Sequence, residues 1–524
     1  MSTPQVEIRS RPSMALFAIL AIVMVIGSYI FVLLLAGACV YLPYLLLSAS
    51  DSPGAQVVLL FLFGIVIAGA MLWSLVPRRD KFVPPGMLLD RSSQPGLFAE
   101  LDSIAAALNE TLPREVYLIP DANAFVADRG GMMGFGSRRV MGLGLPLLSI
   151  LTVSQFRAVL AHEFAHYYGG DTSLGPWVYK TKTSIIRIFE NIGSVGELAR
   201  IAILGIMYLA VATLLKWYFI GFLRAINLVS RRQEFRADEL ACLVAGRQNL
   251  VDGLQAIHGI ALTWPAYWKN EVAPPLSGGR LVAIGEGFAR FISNPQVSAA
   301  IGETLGKRLQ EEKTNPYDTH PPLRERIAAV QGFGNHPALQ DSRPATALLE
   351  NLSTAEIRFA EACVPDVRPG SLKYVRWDEV ASLITIPDWN QFVSEYPQPL
   401  QGVIAECLPD QIPKLLAIGS TIRDPKGMLL SPNQRAGRAG YLFAAAFALA
   451  LTRSGWELQV QPGISRIRRG DQELNPFGIM DQLIKGKLSR DAWVAQCQQL
   501  GIGQLALAPG EFKPIDSARG SGSI

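Results

Sequence analysis

Cysteine is scarce in this 524-residue chain, with only Cys39, Cys242, Cys363, Cys407 and Cys497, far apart and with no C-x-x-C pair. That distribution excludes a thiolate metal cluster and suits a reducing compartment, so any metal held here must rest on histidine and carboxylate. Histidine is as sparse, at five residues. Charge of one sign is not in excess either: 48 basic and 44 acidic residues are mixed along the chain, for a net charge of +4. A nucleic-acid partner leaves a basic face or stripe, and none is present, so that class is set aside. A phosphate-cradling loop is also missing. Residues 130–136 are rich in glycine, but no Gly-Lys-Ser/Thr and no helix start follow, so they read as the tip of a β-hairpin.

What the chain has in quantity is apolar sequence: hydrophobic residues make up 49% of it and its mean hydropathy is positive. Residues 14–47 run without a charged side chain, and 57–76 form a second uncharged stretch of about the roughly 20 residues that a spanning helix needs. Both read as spans in a lipid bilayer, and the first is far too long for a signal peptide. Arg9 and Arg11 precede the pair and Arg78, Arg79 and Lys81 follow it, while the loop around Asp51 has no basic residue. By the positive-inside rule both ends face the cytoplasm, which in a bacterium places the protein in the inner membrane. A third apolar stretch, 201–215, resumes after Lys216 as 217–223. It is too short for two full passes and reads as a helix buried against the protein core or membrane surface, or as a shallow hairpin, with Lys216 free to snorkel.

Beyond Pro84-Pro85 the soluble pattern begins. Residues 97–108 carry apolar side chains at helical spacing, and 115–119, 123–127 and 138–143 read as short strands. Thr152 with Gln155 forms a capping-box signature, opening a helix that runs to Gly169-Gly170. After about residue 340 the pattern is mixed α and β. There 441–451 is a core helix too short to span, and 456–461 with 464–469 flank Pro462-Gly463 as a hairpin. Residues 519–524 read as disordered.

The helix opened by Thr152 contains His162-Glu163-Phe164-Ala165-His166, and a spacing of four puts both imidazoles on one face, near enough to hold one ion. Glu163 stands beside the first imidazole, where a carboxylate can take a proton from a metal-bound water and pass it to a leaving amine. A catalytic zinc needs a third protein ligand and one place for water. Glu234 and Asp238 share a helix face, so one carboxylate can bind metal while the other orients an imidazole; taken alone, beside Arg231, Arg232 and Arg236, they read rather as solvated surface acids.

Three motifs in order carry a family resemblance: His162-Glu163-x-x-His166 with Asp171 five residues on, the run Ser230 to Asp238, and Thr319-His320-Pro321-Pro322 with Arg326-Ile327. Together they resemble the HtpX and CAAX prenyl endopeptidase family of membrane zinc metallopeptidases over roughly residues 90 to 330. The resemblance implies a gluzincin-type α+β fold, mainly helical, with a small antiparallel sheet. It implies Zn2+ as cofactor, His162, His166 and Glu234 as its ligands, and Glu163 as general base. Asp238 would support a ligand and Asp171 would steady the helix end. Asn123, Ala124 and Phe125 look like the family's edge strand, on which polypeptide substrates add as a further strand. His320 falls close to the active site, to stabilise the tetrahedral intermediate or gate the metal. Arg326 ties its segment to the domain, and His258 and His336 read as ordinary residues.

The expected organisation is a membrane anchor (1–82), a metallopeptidase domain (83–340) with a hydrophobic insert at 199–229, and a C-terminal α+β region (341–524). Two clear spans depart from the multispan prenyl proteases and favour the quality-control branch, which cleaves damaged membrane proteins. The rival reading is a silent scaffold or sensor, against which an intact Glu163 argues.

Overall fold

The computed structural model describes residues 13–508 other than 50, 77, 79, 132–135, 168–174, 197–200, 312–319, 334–339 and 424–430. The chain divides into two compact units, Met1–Ala266 with Pro295–Pro369, and Tyr267–Asn294 with Gly370–Ile524. Contacts therefore draw the line elsewhere than at residue 340. The helix Leu352–Cys363 packs on the sheet of the first unit, and the strand Arg280–Val282 pairs in parallel with Lys373–Val375 in the second.

In the first unit, helices α1 (Ser13–Ser48) and α2 (Ala55–Leu75) lead into a soluble core made of β1 (Met87–Leu89), α3 (Pro95–Ala107), β2 (Glu115–Ile119), β3 (Ala124–Arg129), β4 (Arg138–Gly144), α4 (Leu145–Ile150) and α5 (Val153–Ala165). Then come α6 (Gly175–Val195) and α7 (Ala202–Ala245). The fold is α+β, as the sequence implies. Its sheet has the order β1-β2-β4-β3 and is mixed rather than wholly antiparallel: β4 turns back from β3 and slots in beside β2, with which it runs parallel. That arrangement leaves β3 at the sheet edge. Leu101, Leu118, Leu143, Leu147, Phe156 and Leu160 are fully buried between sheet and helices, each contributing roughly 1.5–3 kcal/mol by leaving water. Asp80, on the way out of α2, accepts the Gly130 N–H at 2.8 Å and Arg129 Nε at 3.0 Å, tying the membrane helices to the β3–β4 hairpin.

Three helices, Ile19–Ser48, Ala55–Leu75 and Ala202–Ala245, are long and apolar enough to cross a membrane. The third corrects the sequence expectation. α7 is one unbroken helix of 44 residues, about 66 Å long at 1.5 Å per residue. Leu204, Val211 and Leu215 pack with α1 and α2, while Ile206, Leu209, Leu214 and Trp217 point outward and exposed. Its apolar first half, 202–223, is therefore not buried against the soluble core, whereas its second half packs on α5. Its partner leg is α6, whose Ile188 and Ile192 enter the same cluster; Lys180, Lys182, Arg187 and Glu190 interrupt the apolar run of α6, which is why hydropathy does not single it out. α6 carries the chain into the bundle and α7 carries it back, so residues 166 and 234 meet on the same side.

Where α1 and α2 cross, Gly64 faces the Cys39 carbonyl so closely that any Cβ would overlap it. Gly64→Val is expected to force these helices apart at a cost of about 1–3 kcal/mol, typical of overpacking, and to lower the melting temperature in detergent. An unchanged melting curve would contradict this packing.

Candidate active site

Helix α5 starts where its cap dictates: Thr152 Oγ1 accepts the Gln155 N–H at 3.2 Å and Gln155 Oε1 accepts the Thr152 N–H at 3.0 Å, closing the capping box. Phe156, Leu160 and Phe164 fix its buried side, which turns His162 toward α7. The helix ends at Ala165, earlier than Gly169-Gly170, with His166 as its C-cap. Both imidazoles stay on one face, 4.8 Å apart between ring centroids and nearly perpendicular.

The other half of the cluster comes from α7. Glu234 and Asp238 are one turn apart and both buried, not solvated. Ligand atoms of His162, His166 and Glu234 all lie within 4.8 Å of one another. Glu234 Oε2 lies 3.5 Å from His162 Nε2, and Oε1 lies 3.5 Å from His166 Nε2. Asp238 Oδ1 is 2.9 Å from His162 Nδ1 and holds that ring by the nitrogen facing away from Glu234. The helix Leu323–Gln331 completes the arrangement. From it Arg326 donates to Asp238 through Nε at 2.9 Å and Nη2 at 2.6 Å, a two-pronged clamp inside the protein. The tie expected of Arg326 thus takes the form of a salt bridge to the carboxylate that orients His162. Its closeness to the cluster has no local sequence signal, since the contact spans from residue 238 to residue 326.

His320 is exposed, and its Nδ1 sits 2.9 Å from Glu234 Oε1. Asn123 accepts the Gly144 N–H at 2.9 Å through its carbonyl, just ahead of the edge strand that contains Ala124 and Phe125. Tyr167 donates its hydroxyl to the Val126 carbonyl at 2.9 Å, joining that edge to the end of α5. Phe125 lies over Gly142, where a Cβ would collide with its ring. Asp171 and His336 lie outside the described residues. His258 bonds through Nδ1 to the Leu254 carbonyl of its own helix at 2.8 Å, a structural role.

The electrostatics of the cluster suit a cation. Burial and the Arg326 charge oppose a proton on His162, but Asp238 and Glu234 outweigh them and push its pKa up to about 9. Burial, reinforced by His162, pushes His166 down to about 4, so that ring is neutral and can ligate. Glu163 is half-buried; burial is the main cause that pushes it up to about 7. Among the described residues none bonds to its carboxylate. The buried Glu234 Oε2 makes no hydrogen bond among the described residues, His162 Nε2 and Arg326 Nη1 each lying 3.5 Å away, an arrangement that costs stability unless a metal or water meets it. Two imidazoles and a buried carboxylate within reach of one another, with Asp238 behind one imidazole, form a donor set that fits a divalent metal ion.

A buried, metal-ready donor set on two helices, in a protein with apolar helices of spanning length, belongs to the membrane-associated metalloproteases, and comparison with known proteins agrees. The model of "Peptidase family M48" matches residues 92–333. Protease HtpX of Pseudomonas entomophila is 30% identical over 237 residues, 43% of this chain and 70% of that protein. Protease HtpX homolog 2 of Methanosarcina mazei is 24% identical over 313 residues, 58% of this chain and 94% of the relative. Protease HtpX of Xylella fastidiosa strain M12 is 27% identical over 227 residues, 41% and 65% of the two chains. No solved structure matches. The chain belongs to peptidase family M48, with relatives of the HtpX type.

Proposed function

We propose that the protein is a zinc-dependent endopeptidase that hydrolyses polypeptides at the cytoplasmic face of a cell membrane, the inner membrane in a bacterium, and removes damaged membrane proteins. The observation that carries this reading is the convergence of ligand atoms of His162, His166 and Glu234 to within 4.8 Å of one another. Two histidines and one glutamate are a donor set that zinc takes in catalytic sites, with a position left for water. When bound, zinc supplies a Lewis acid that polarises the scissile carbonyl and lowers the pKa of a water.

The remaining work falls to the chain's own groups. Glu163 is the general base: adjacent to His162 and with no hydrogen-bond partner among the described residues, its carboxylate accepts a proton from the attacking water and returns it to the leaving amine. Asp238, clamped by Arg326, keeps His162 in the tautomer and orientation that a ligand needs. His320 has its Nδ1 engaged with Glu234, which leaves Nε2 to steady the oxyanion of a tetrahedral intermediate. The free edge of β3 offers backbone groups on which an extended polypeptide can add as a strand, held beside α5 by Tyr167. Backbone pairing reads no particular sequence, as disposal of damaged proteins requires. The positive-inside pattern around α1 and α2 supports the cytoplasmic orientation.

Dialysis of the detergent-purified protein against a chelator is expected to abolish cleavage of an unfolded soluble substrate, and a stoichiometric addition of zinc to restore it. Undiminished cleavage by metal-free protein would sink the reading.

A further inference from the structure

The second unit contains a cavity of about 320 Å³, lined on one side by a π-helical turn, Trp268–Val272, and on another by a second, Ala381–Thr385. Single π-helical turns are rare and gather at functional sites, because the extra residue redirects side chains that a regular helix would place elsewhere. Here the first turn brings in Glu271 and the second brings in Thr385. The volume lies within the range of small-ligand sites, roughly 300–1,000 Å³.

Four aromatic rings, Trp377, Trp389, Tyr441 and Phe477, line the cavity together with aliphatic residues and the polar Asn270 and Ser465. Both indole N–H groups are already engaged. Trp377 donates its indole N–H to the Ala283 carbonyl at 2.7 Å, and Trp389 donates to the Tyr441 hydroxyl at 3.1 Å. Trp389 and Tyr441 each lie against Phe477, with centroids 5.3 and 5.2 Å apart. With both indole donors taken, these rings offer the cavity carbon edges and π surface. Glu271 is the one charged group in the lining. Its Oε1 accepts the Gly463 N–H at 3.0 Å, which fixes the carboxylate in place, and among the described residues no basic side chain pairs with it. Burial raises its pKa, with the Gly463 hydrogen bond acting in the opposite sense.

A fixed carboxylate, the sole charge in a lining of aromatic and aliphatic side chains, is complementary to a positive charge carried on an apolar stem: the carboxylate takes the N–H donors and the rings attract the cation and cover the stem. We propose that this pocket binds an organic cation, a protonated amine or guanidinium of the kind borne by lysine and arginine side chains. None of its residues belongs to the metal cluster, and the inference does not depend on the protease reading.

The test uses the full-length protein in detergent, labelled with fluorotryptophan and followed by fluorine NMR, the Trp377 and Trp389 signals being assigned from single Trp→Phe variants. The probes are N-acetyl-lysine amide and N-acetyl-arginine amide, their uncharged counterpart N-acetyl-norleucine amide, and spermidine as a free amine. Lysine or arginine amide should shift both signals saturably, and norleucine amide should bind at least about tenfold more weakly, the discrimination expected of a charge-assisted hydrogen bond. Glu271→Gln, which keeps an acceptor for Gly463, should remove that discrimination. Response to spermidine without response to either amide would support the site and assign it to free amines in place of polypeptide side chains. Equal shifts by lysine and norleucine amides, or no shift by any cation, would overturn the proposal. Should Glu271→Gln lower the melting temperature, the comparison of charged and uncharged probes on the unsubstituted protein decides the matter.

Discussion

Glu163→Gln is expected to lower kcat by roughly 10²–10⁴-fold, the usual contribution of a positioned general base, which corresponds to about 3–5 kcal/mol of barrier. Zinc content should stay at the level of the unsubstituted protein, because the residues proposed to hold the metal are His162, His166 and Glu234 and not Glu163. KM should change little, since the loss falls on the transition state and not on substrate binding. The amide is nearly isosteric and no described residue bonds to the carboxylate, so the fold has no reason to respond. The measurement is cleavage of an unfolded substrate by zinc-loaded protein in detergent, with metal quantified on the same sample. More than a tenth of the original activity, or loss of zinc together with activity, would remove Glu163 from the role of base.

Arg326→Met should destabilise the first unit by about 3–5 kcal/mol, the cost of removing one partner from a buried ion pair. Asp238 is fully buried and receives two of the Arg326 donors; without them its charge would face only His162. A loss of that size lowers the melting temperature by on the order of 10 °C for a domain of this class. Adding Asp238→Asn to Arg326→Met should recover part of the loss, because the stranded charge goes with it, and that recovery distinguishes an electrostatic clamp from simple packing. A single variant that melts within about 2 °C of the parent would show that the clamp carries little stability.

The sequence by itself determined what is set within a few residues of chain. The Thr152–Gln155 cap, the four-residue spacing of His162 and His166, the β3–β4 hairpin and the core helix around 441–451 were all legible, because hydrogen-bonding rules and helical or strand periodicity act over a turn or less. The uncharged runs that became α1 and α2 were legible for the same reason. Tertiary structure decided the rest. Spacing left Glu234 and Asp238 interchangeable and, taken alone, more readily read as surface acids; packing of α7 against α5 buried both, turned Glu234 to the two imidazoles and put Asp238 behind His162. The in-and-out path of α6 and α7 escaped hydropathy because Lys180, Lys182, Arg187 and Glu190 break the apolar run of α6, whose Ile188 and Ile192 join the bundle through a contact that no window of sequence contains. The pocket in the second unit draws on stretches near residues 271, 380, 441 and 477, which periodicity cannot relate to one another. Local pattern is fixed by bonds along the chain, whereas a site assembled from distant stretches exists only once buried surfaces have chosen their partners.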